Sequence, residues 1–197
     1  MELRIQEIVE NLFPPKMAEP VKMSAKLPLE IRPVLAEELE ILRQLAQTTF
    51  VTAFATQNTP EDMAQYVQES FNQKYFSQLF YKPGANFFFG WLGDQVVAYL
   101  QLNVDDAQTE QELEQALEVE RIYVKEQYQG QGYGQDLLNF ALDYGRQLHK
   151  AWIWLGVWEQ NHGAIRFYER QGFTTFSQHD FFLGKDHQID LLMKRKL

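Results

Sequence analysis

Cysteine is missing from these 197 residues, so disulfides, thiolate nucleophiles and cysteine-ligated zinc are excluded, while the compartment stays open. No apolar run approaches the ~18 residues of a membrane span, and no membrane partner is expected. Positive charge is scarce: 18 Lys and Arg stand against 27 Asp and Glu, a formal net charge of -9. Such a chain repels polyanions, so nucleic acid is not expected as a partner, and a small cationic ligand suits it better. The amino terminus has no basic stretch followed by an apolar run and a cleavage site, so no secretory leader is expected and the cytoplasm is the expected location. His149, His162, His179 and His187 are scattered without i, i+4 pairing, and G-x-S-x-G does not occur. Neither a metal site nor a hydrolytic triad is therefore expected.

What is present suits one α/β domain. Hydrophobic residues make up 45% of the chain and aromatics 14%, enough for a packed core rather than a disordered polymer. Residues 1–30 hold four of the seven prolines (Pro14, Pro15, Pro20, Pro28) after the amphipathic stretch Leu3, Ile5, Ile8, Val9, Leu12. They read as an extension or linker ahead of a domain spanning 31–197. Leu35, Leu39, Leu42, Leu45 and Ala46 recur at helical spacing, and Thr59-Pro60-Glu61-Asp62 supplies a cap, a first-turn proline and acidic residues for a second helix. Strands are expected over 86–92 and 95–102, closed by Gly93-Asp94. Beyond the acidic segment 105–114 come a strand (117–124), a helix (134–149), a strand (151–158), a shorter helix (163–170) and two final strands around Gly184-Lys185-Asp186. The β-loop-α-β order implies parallel strands joined by a right-handed crossover. The two final strands are candidates for pairing across a homodimer interface.

The segment Gln129-Gly130-Gln131-Gly132-Tyr133-Gly134 joins a strand to a helix whose apolar stripe is Leu137, Leu138, Ala141, Leu142, Gly145 and Leu148. Glycines allow a tight turn and close approach of the backbone, and a helix N-terminus aims N–H groups and partial positive charge outward, so a pyrophosphate suits this place. The lysine and hydroxyl residue of a P-loop are missing, and the loop lies too late in the chain, with the wrong spacing, for a dinucleotide fingerprint.

Gln129-x-x-Gly132-x-Gly134 resembles the Q/R-x-x-G-x-G/A signature with which GNAT-superfamily acetyltransferases bind the pyrophosphate of coenzyme A. Trp154 to Asn161 together with Ala164 to Phe173 resembles the family's second acetyl-CoA block. Val119 to Val124, Ile153 to Glu159 and His179 to Gly184 look like bacterial PaiA-type spermidine/spermine N-acetyltransferases, a similarity running from about Ile31 to Lys196. The resemblance implies a mixed, mostly antiparallel sheet flanked by helices, with a splayed parallel pair at Val124 and Trp154. It also implies acetyl-CoA as cosubstrate, no metal, and a primary amine as acceptor, with a polyamine favoured. A peptide or protein amine is the alternative acceptor, and a catalytically silent acyl-CoA-binding module the alternative class.

The chemistry narrows the candidates. An alkylammonium titrates near ~10.4 and has no lone pair, so a base or water relay must remove its proton. Glu118 and Glu120 stand two apart on a strand and share a face, where they either accept that proton or form a solvated edge over Leu117, Val119 and Ile122. The departing thiolate needs a donor, and the resemblance assigns that to Tyr168, whose bland alternative is a core aromatic beside Phe167. Asn161 either bonds the pantetheine arm or caps the following helix. The family pattern further implies cofactor contacts from Ile122, Tyr123, Val124, Gln129, Gly130, Gln131, Gly132, Tyr133, Gly134, Gln135, Ala164, Phe167 and Arg170, and a backbone N–H near Val124 is a candidate oxyanion donor. Asp105, Asp106, Glu110, Glu112, Glu114, Glu118 and Glu120 are expected to crowd the acceptor's approach, or else to be a solvated face. Tyr66, Tyr75, Phe76 and Tyr81 either wall the acceptor pocket or fill the core.

Overall fold

Seven strands form one sheet in the order β1-β2-β3-β4-β5-β7-β6 in a computed structural model that describes residues 26–183 and 186–197. The stretch from Leu3 to Leu12, the prolines at 14, 15 and 20, and Gly184 and Lys185 lie outside the described residues. β1 (Glu30–Pro33), β2 (Ala85–Leu92), β3 (Gln95–Val104) and β4 (Ala116–Val124) pair antiparallel in succession. β4 lies parallel to β5 (Trp152–Trp158), and β7 (Asp186–Lys196) inserts antiparallel between β5 and β6 (Thr174–Leu183). The two final strands thus pair inside one chain, and of the two β6 is the one at the sheet's edge.

Helices α1 (Leu39–Phe54), α2 (Pro60–Ser70) and α3 (Gln73–Phe80) precede the β2–β3 hairpin. α4 (Tyr133–Gln147) links β4 to β5, and α5 (His162–Arg170) links β5 to β6. Thr59 caps α2 as its sequence predicts, accepting from Asp62 N–H at 3.2 Å with Pro60 at the first helical position. Two helices were expected before the hairpin, and three form. Asn72 starts the third by accepting from Tyr75 N–H at 2.9 Å, and eight residues are too few for a 3.6-residue period to stand out. Leu35 also departs from its expected stripe: it is exposed and precedes a short 3₁₀ turn (Ala36–Glu38) that leads into α1.

Each face of the sheet has its own apolar layer. Leu137, Leu138 and Ala141 of α4 pack on Leu100, Leu117 and Ile153. On the opposite face Leu42 and Phe50 of α1 and Phe76 of α3 pack on Phe87, Phe89 and Tyr99. α4 lies so close to the sheet that a Cβ on Gly145 would stand 2.6 Å from Leu197 Cδ1 and 3.2 Å from Leu117 Cδ2, which explains a glycine inside a helix that otherwise disfavours it.

Two irregularities of β4 position the site. Parallel pairing with β5 covers only Ala116–Glu118 against Trp152–Trp154, and the strands part beyond it. On the other side Val119 pairs with Leu102 and Arg121 with Gln101, so Glu120 is an extra residue opposite no partner, a β-bulge. The bulge resets the alternation. Leu117 and Val119 face α4, and so do Ile122 and Val124, while Glu118, Glu120, Arg121 and Tyr123 share the opposite face.

Candidate active site

The glycine loop is shaped by backbone conformation. Gly130 and Gly132 have φ of +71° and +87°, a region L side chains avoid, and Gly132 is the N-cap of α4. Helix geometry leaves the first-turn N–H groups of Tyr133 and Gly134 projecting from the helix end. A Cβ at Gly130 or Gly134 would meet nothing within 4 Å, so the outer side of the loop is open to a ligand. Gln129 donates to the Val124 carbonyl at 2.9 Å and ties the loop to the end of β4. Lys26 reaches across from the segment before β1, donating to the Gly132 carbonyl at 3.2 Å and pairing with Asp136.

Two adjoining cavities occupy the parting of β4 and β5. One, of about 340 Å³, is lined by Glu118, Glu120, Tyr168 and Ala164 together with aromatic side chains of α1 and β5. The other, of about 550 Å³, is lined by Thr48, Thr52, Val124, Lys125 and Gln129. Ala53, Ile122, Tyr123 and Asn161 border both, so the wall between them is the splay itself. Asn161 also caps α5, accepting from Ala164 N–H at 3.1 Å, so the helix cap and the cavity border are one residue. Other expected contacts lie away from the cavities: Tyr133 is turned inward and buried, Phe167 packs in the apolar layer with its ring 5.2 Å from that of Tyr168, and Arg170 is exposed at the end of α5. Gln135 donates to Gln171 and to Asn139, each at 2.9 Å, while Gln131 donates to the Gln127 carbonyl at 3.1 Å.

The polar floor of the first cavity is a hydrogen-bonded network that leaves Gln101 Oε1 and Arg121 Nη1 buried without a hydrogen-bond partner among the described residues. Asn103 donates to Glu118 at 3.0 Å and also to Glu120, which accepts from Gln101 as well. Thr109 bonds Glu118 twice, through its N–H at 2.9 Å and through its hydroxyl. Arg121 stands 3.5 Å from Glu120 and lies 5.8 Å from the ring of Phe71, a cation held between one carboxylate and an aromatic face. Burial drives the Glu118 carboxyl up to about 7, with the Thr109 hydroxyl pulling the other way and the Glu120 charge adding to the rise. Burial likewise raises the Tyr168 phenol, helped by Tyr123, and Tyr123 itself is pushed up to about 12. Tyr168 is therefore a protonated donor at neutral pH.

The acidic segment before β4 opens with a short 3₁₀ turn (Asp105–Ala107) and beyond it is not a free solvated loop. Trp154 Nε1 donates to Gln108 at 2.7 Å, Ser177 to Glu112 at 3.1 Å, and His179 Nδ1 lies 2.9 Å from Glu110. With the Thr109 bonds to Glu118, these contacts strap residues 108–112 across β4, β5 and β6. Of the seven acidic residues expected to crowd the acceptor, Glu118 and Glu120 line the cavity, and the other five go to the strap or to the surface. A third cavity carboxylate, Asp190 of β7, was not foreseen. Among the four candidate wall aromatics Tyr66 lines the cavity and stacks on Phe50 at 4.7 Å; Phe76 is fully buried core, and Tyr75 and Tyr81 are exposed. Gln101 and Asn103, buried amides on a largely apolar strand, are the signal in the sequence that points to the network. Arg121 carried no such signal, because only the bulge turns it inward.

A splayed parallel pair, a glycine N-cap at the crossover helix and carboxylates beside the splay define an acyl-CoA-dependent acetyltransferase. Residues 40–173 match the model of the Acetyltransferase (GNAT) family, and the chain belongs to that family, as an acetyl-CoA-dependent N-acetyltransferase. An N-acetyltransferase from the pepI 3' region of Lactobacillus delbrueckii subsp. lactis is 39% identical over 169 residues, covering 86% of this chain and 98% of the relative. The spermine/spermidine N(1)-acetyltransferase of Bacillus subtilis is 36% identical over 64 residues, 32% of this chain and 42% of that protein. The fold is similar to that of a PaiA N-acetyltransferase from Thermoplasma acidophilum in complex with coenzyme A, with TM-score 0.67, 19% identity, and coverage of 87% of this chain and 100% of that one. No helix among the described residues is long and apolar enough to cross a membrane.

Proposed function

We propose that the protein acetylates a primary amine of a polyamine such as spermidine or spermine, with residues 31–197 forming the catalytic domain. The observation that supports this reading is the cavity beside the splay, where the carboxylates of Glu118, Glu120 and Asp190 meet aromatic walls and the phenol of Tyr168. Carboxylates attract an ammonium, and aromatic faces suit both the cation and its methylene chain.

In the proposed reaction the larger groove, between Thr48 and Gln129, takes the pantetheine arm, with main-chain groups of Ile122 and Val124 pairing with its amides as an added strand does. The diphosphate lies on the N–H groups of the loop from Gln129 to Gly134. The ammonium enters the smaller cavity and yields a proton to Glu120 or Glu118, directly or through water. The free amine attacks the thioester carbonyl, and the thiolate leaves as Tyr168 donates its phenolic proton. Acetyl-CoA consumption measured against polyamines, aminoglycosides, amino acids and lysine peptides tests the reading. Spermidine and spermine are expected to give the highest kcat/KM, and preference for a peptide would overturn the acceptor.

A further inference from the structure

Asp190 has no part in the proton transfers described above, yet it lines the acceptor cavity from the β7 side. Its side chain is 21% exposed and has a neighbour at some remove, His179 Nε2 at 3.8 Å, whose other ring nitrogen is engaged at 2.9 Å by Glu110. Burial raises the Asp190 carboxyl and His179 lowers it, so the group is partly desolvated without a full counter-charge. Asp190 pairs with Trp158, and diagonal to it on β5 is Gly156, an exposed glycine on the cavity wall between Trp154 and Trp158. A Cβ there would stand 3.7 Å from Asp190 Oδ2, so the missing side chain is what opens the carboxylate to the cavity.

Register sets the spacing. Glu118 pairs with Trp154 and Asp190 with Trp158, four residues further along β5, which at ~3.3 Å per residue puts the two backbones roughly 13 Å apart along the strand, while the Asp190 carboxylate reaches back toward Gly156. An aliphatic diamine or polyamine laid along β5 would bridge the two ends. The rings of Trp158 and Phe54, 6.4 Å apart, border the same cavity and suit the methylenes of such a chain.

We propose that Asp190, exposed through the gap at Gly156, is a second cation site that holds the distal ammonium of a diamine or polyamine while the near amine is acetylated beside Glu120. The site rests on the amine acetylation proposed above and adds the property that sets the acceptor class: two cationic nitrogens, selected over one. Asp190 is a specificity residue in this scheme and takes no proton from the reacting amine.

The test is steady-state acetylation by the full chain of putrescine against butylamine, matched in carbon skeleton and differing in the second nitrogen. The wild type is expected to favour putrescine in kcat/KM by at least about tenfold, the value of one partly buried charge pair near 1.4 kcal/mol. Asp190→Asn is expected to bring that ratio close to one, through KM for putrescine rather than kcat. Gly156→Ala makes only ordinary contacts of 3.7 to 3.9 Å, so it folds; its methyl covers the carboxylate and the same ratio falls, which carries the test should Asp190→Asn unfold. A ratio unchanged in Asp190→Asn or, failing that, in Gly156→Ala overturns the second site, as does a wild type that uses both amines equally while acetylating them. A wild type that acetylates no amine overturns amine acetylation itself and the second site with it.

Discussion

The glycine loop takes all its parts from residues 129–135, whereas the acceptor cavity gathers side chains from Phe50 to Asp190. The loop works through backbone: two positive φ angles and the end of one helix. The cavity works through side chains that meet because β4 bulges, β5 diverges and the acidic strap crosses both. A backbone site fails when a Cβ is forced on it, and a side-chain site fails when one polar atom is removed. The two regions therefore answer to different substitutions, and that difference can be tested.

The largest effect is expected in the cavity. Tyr168→Phe and Glu120→Gln each remove one proton-transfer group and are expected to lower kcat by ~10²–10⁴, with coenzyme A affinity moving only a few-fold. Steady-state rates beside calorimetric titration separate the two quantities, and equal losses in both would merge the regions. Next comes the loop. Gly132→Val forces a β-branched residue to φ +87° with Lys26 Nζ 3.2 Å from its Cβ, and is expected to weaken coenzyme A binding ~10–100-fold while kcat at saturation changes little.

The third effect is a pH dependence confined to the cavity. Glu118 has an ordinary value near 4.5 and a folded value of about 7, so across that window the folded chain holds a proton that the unfolded chain has lost. Stability is therefore expected to fall as pH rises from about 4.5 to 7, by about 3 kcal/mol, and Glu118→Gln removes that slope in denaturant titrations. If Glu118 is the base, kcat/KM rises with pH through the same region. Thr109→Val, which deletes a hydroxyl bond that favours the carboxylate, then shifts the rise to higher pH. The smallest effect belongs to the residue the regions share: Asn161→Ala is expected to cost ~1 kcal/mol of stability through the lost α5 cap, with a modest rise in KM for acetyl-CoA.

What was legible followed from local rules. The loop, the crossover order and the Thr59 cap each lie within a few residues, and their glycines, prolines and apolar periods carry the signal. The third helix was too short for a period, and Leu35 matched a stripe it does not join. The acidic run shows the limit more sharply. Its charge suggested an acceptor funnel, but Gln108, Glu110 and Glu112 are spent on Trp154, His179 and Ser177, partners 46, 69 and 65 residues away. No spacing rule reaches that far.

By itself the sequence determined the class of fold and the phosphate-binding end, because tight turns and helix starts are properties of neighbouring residues. Only the tertiary structure decided which charges face the acceptor. A single unpaired residue at Glu120 turns Arg121 and Tyr123 to the cavity side, and a glycine on β5 uncovers an aspartate on β7. Strand alternation makes side-chain direction depend on register, and register is settled between strands, not within one.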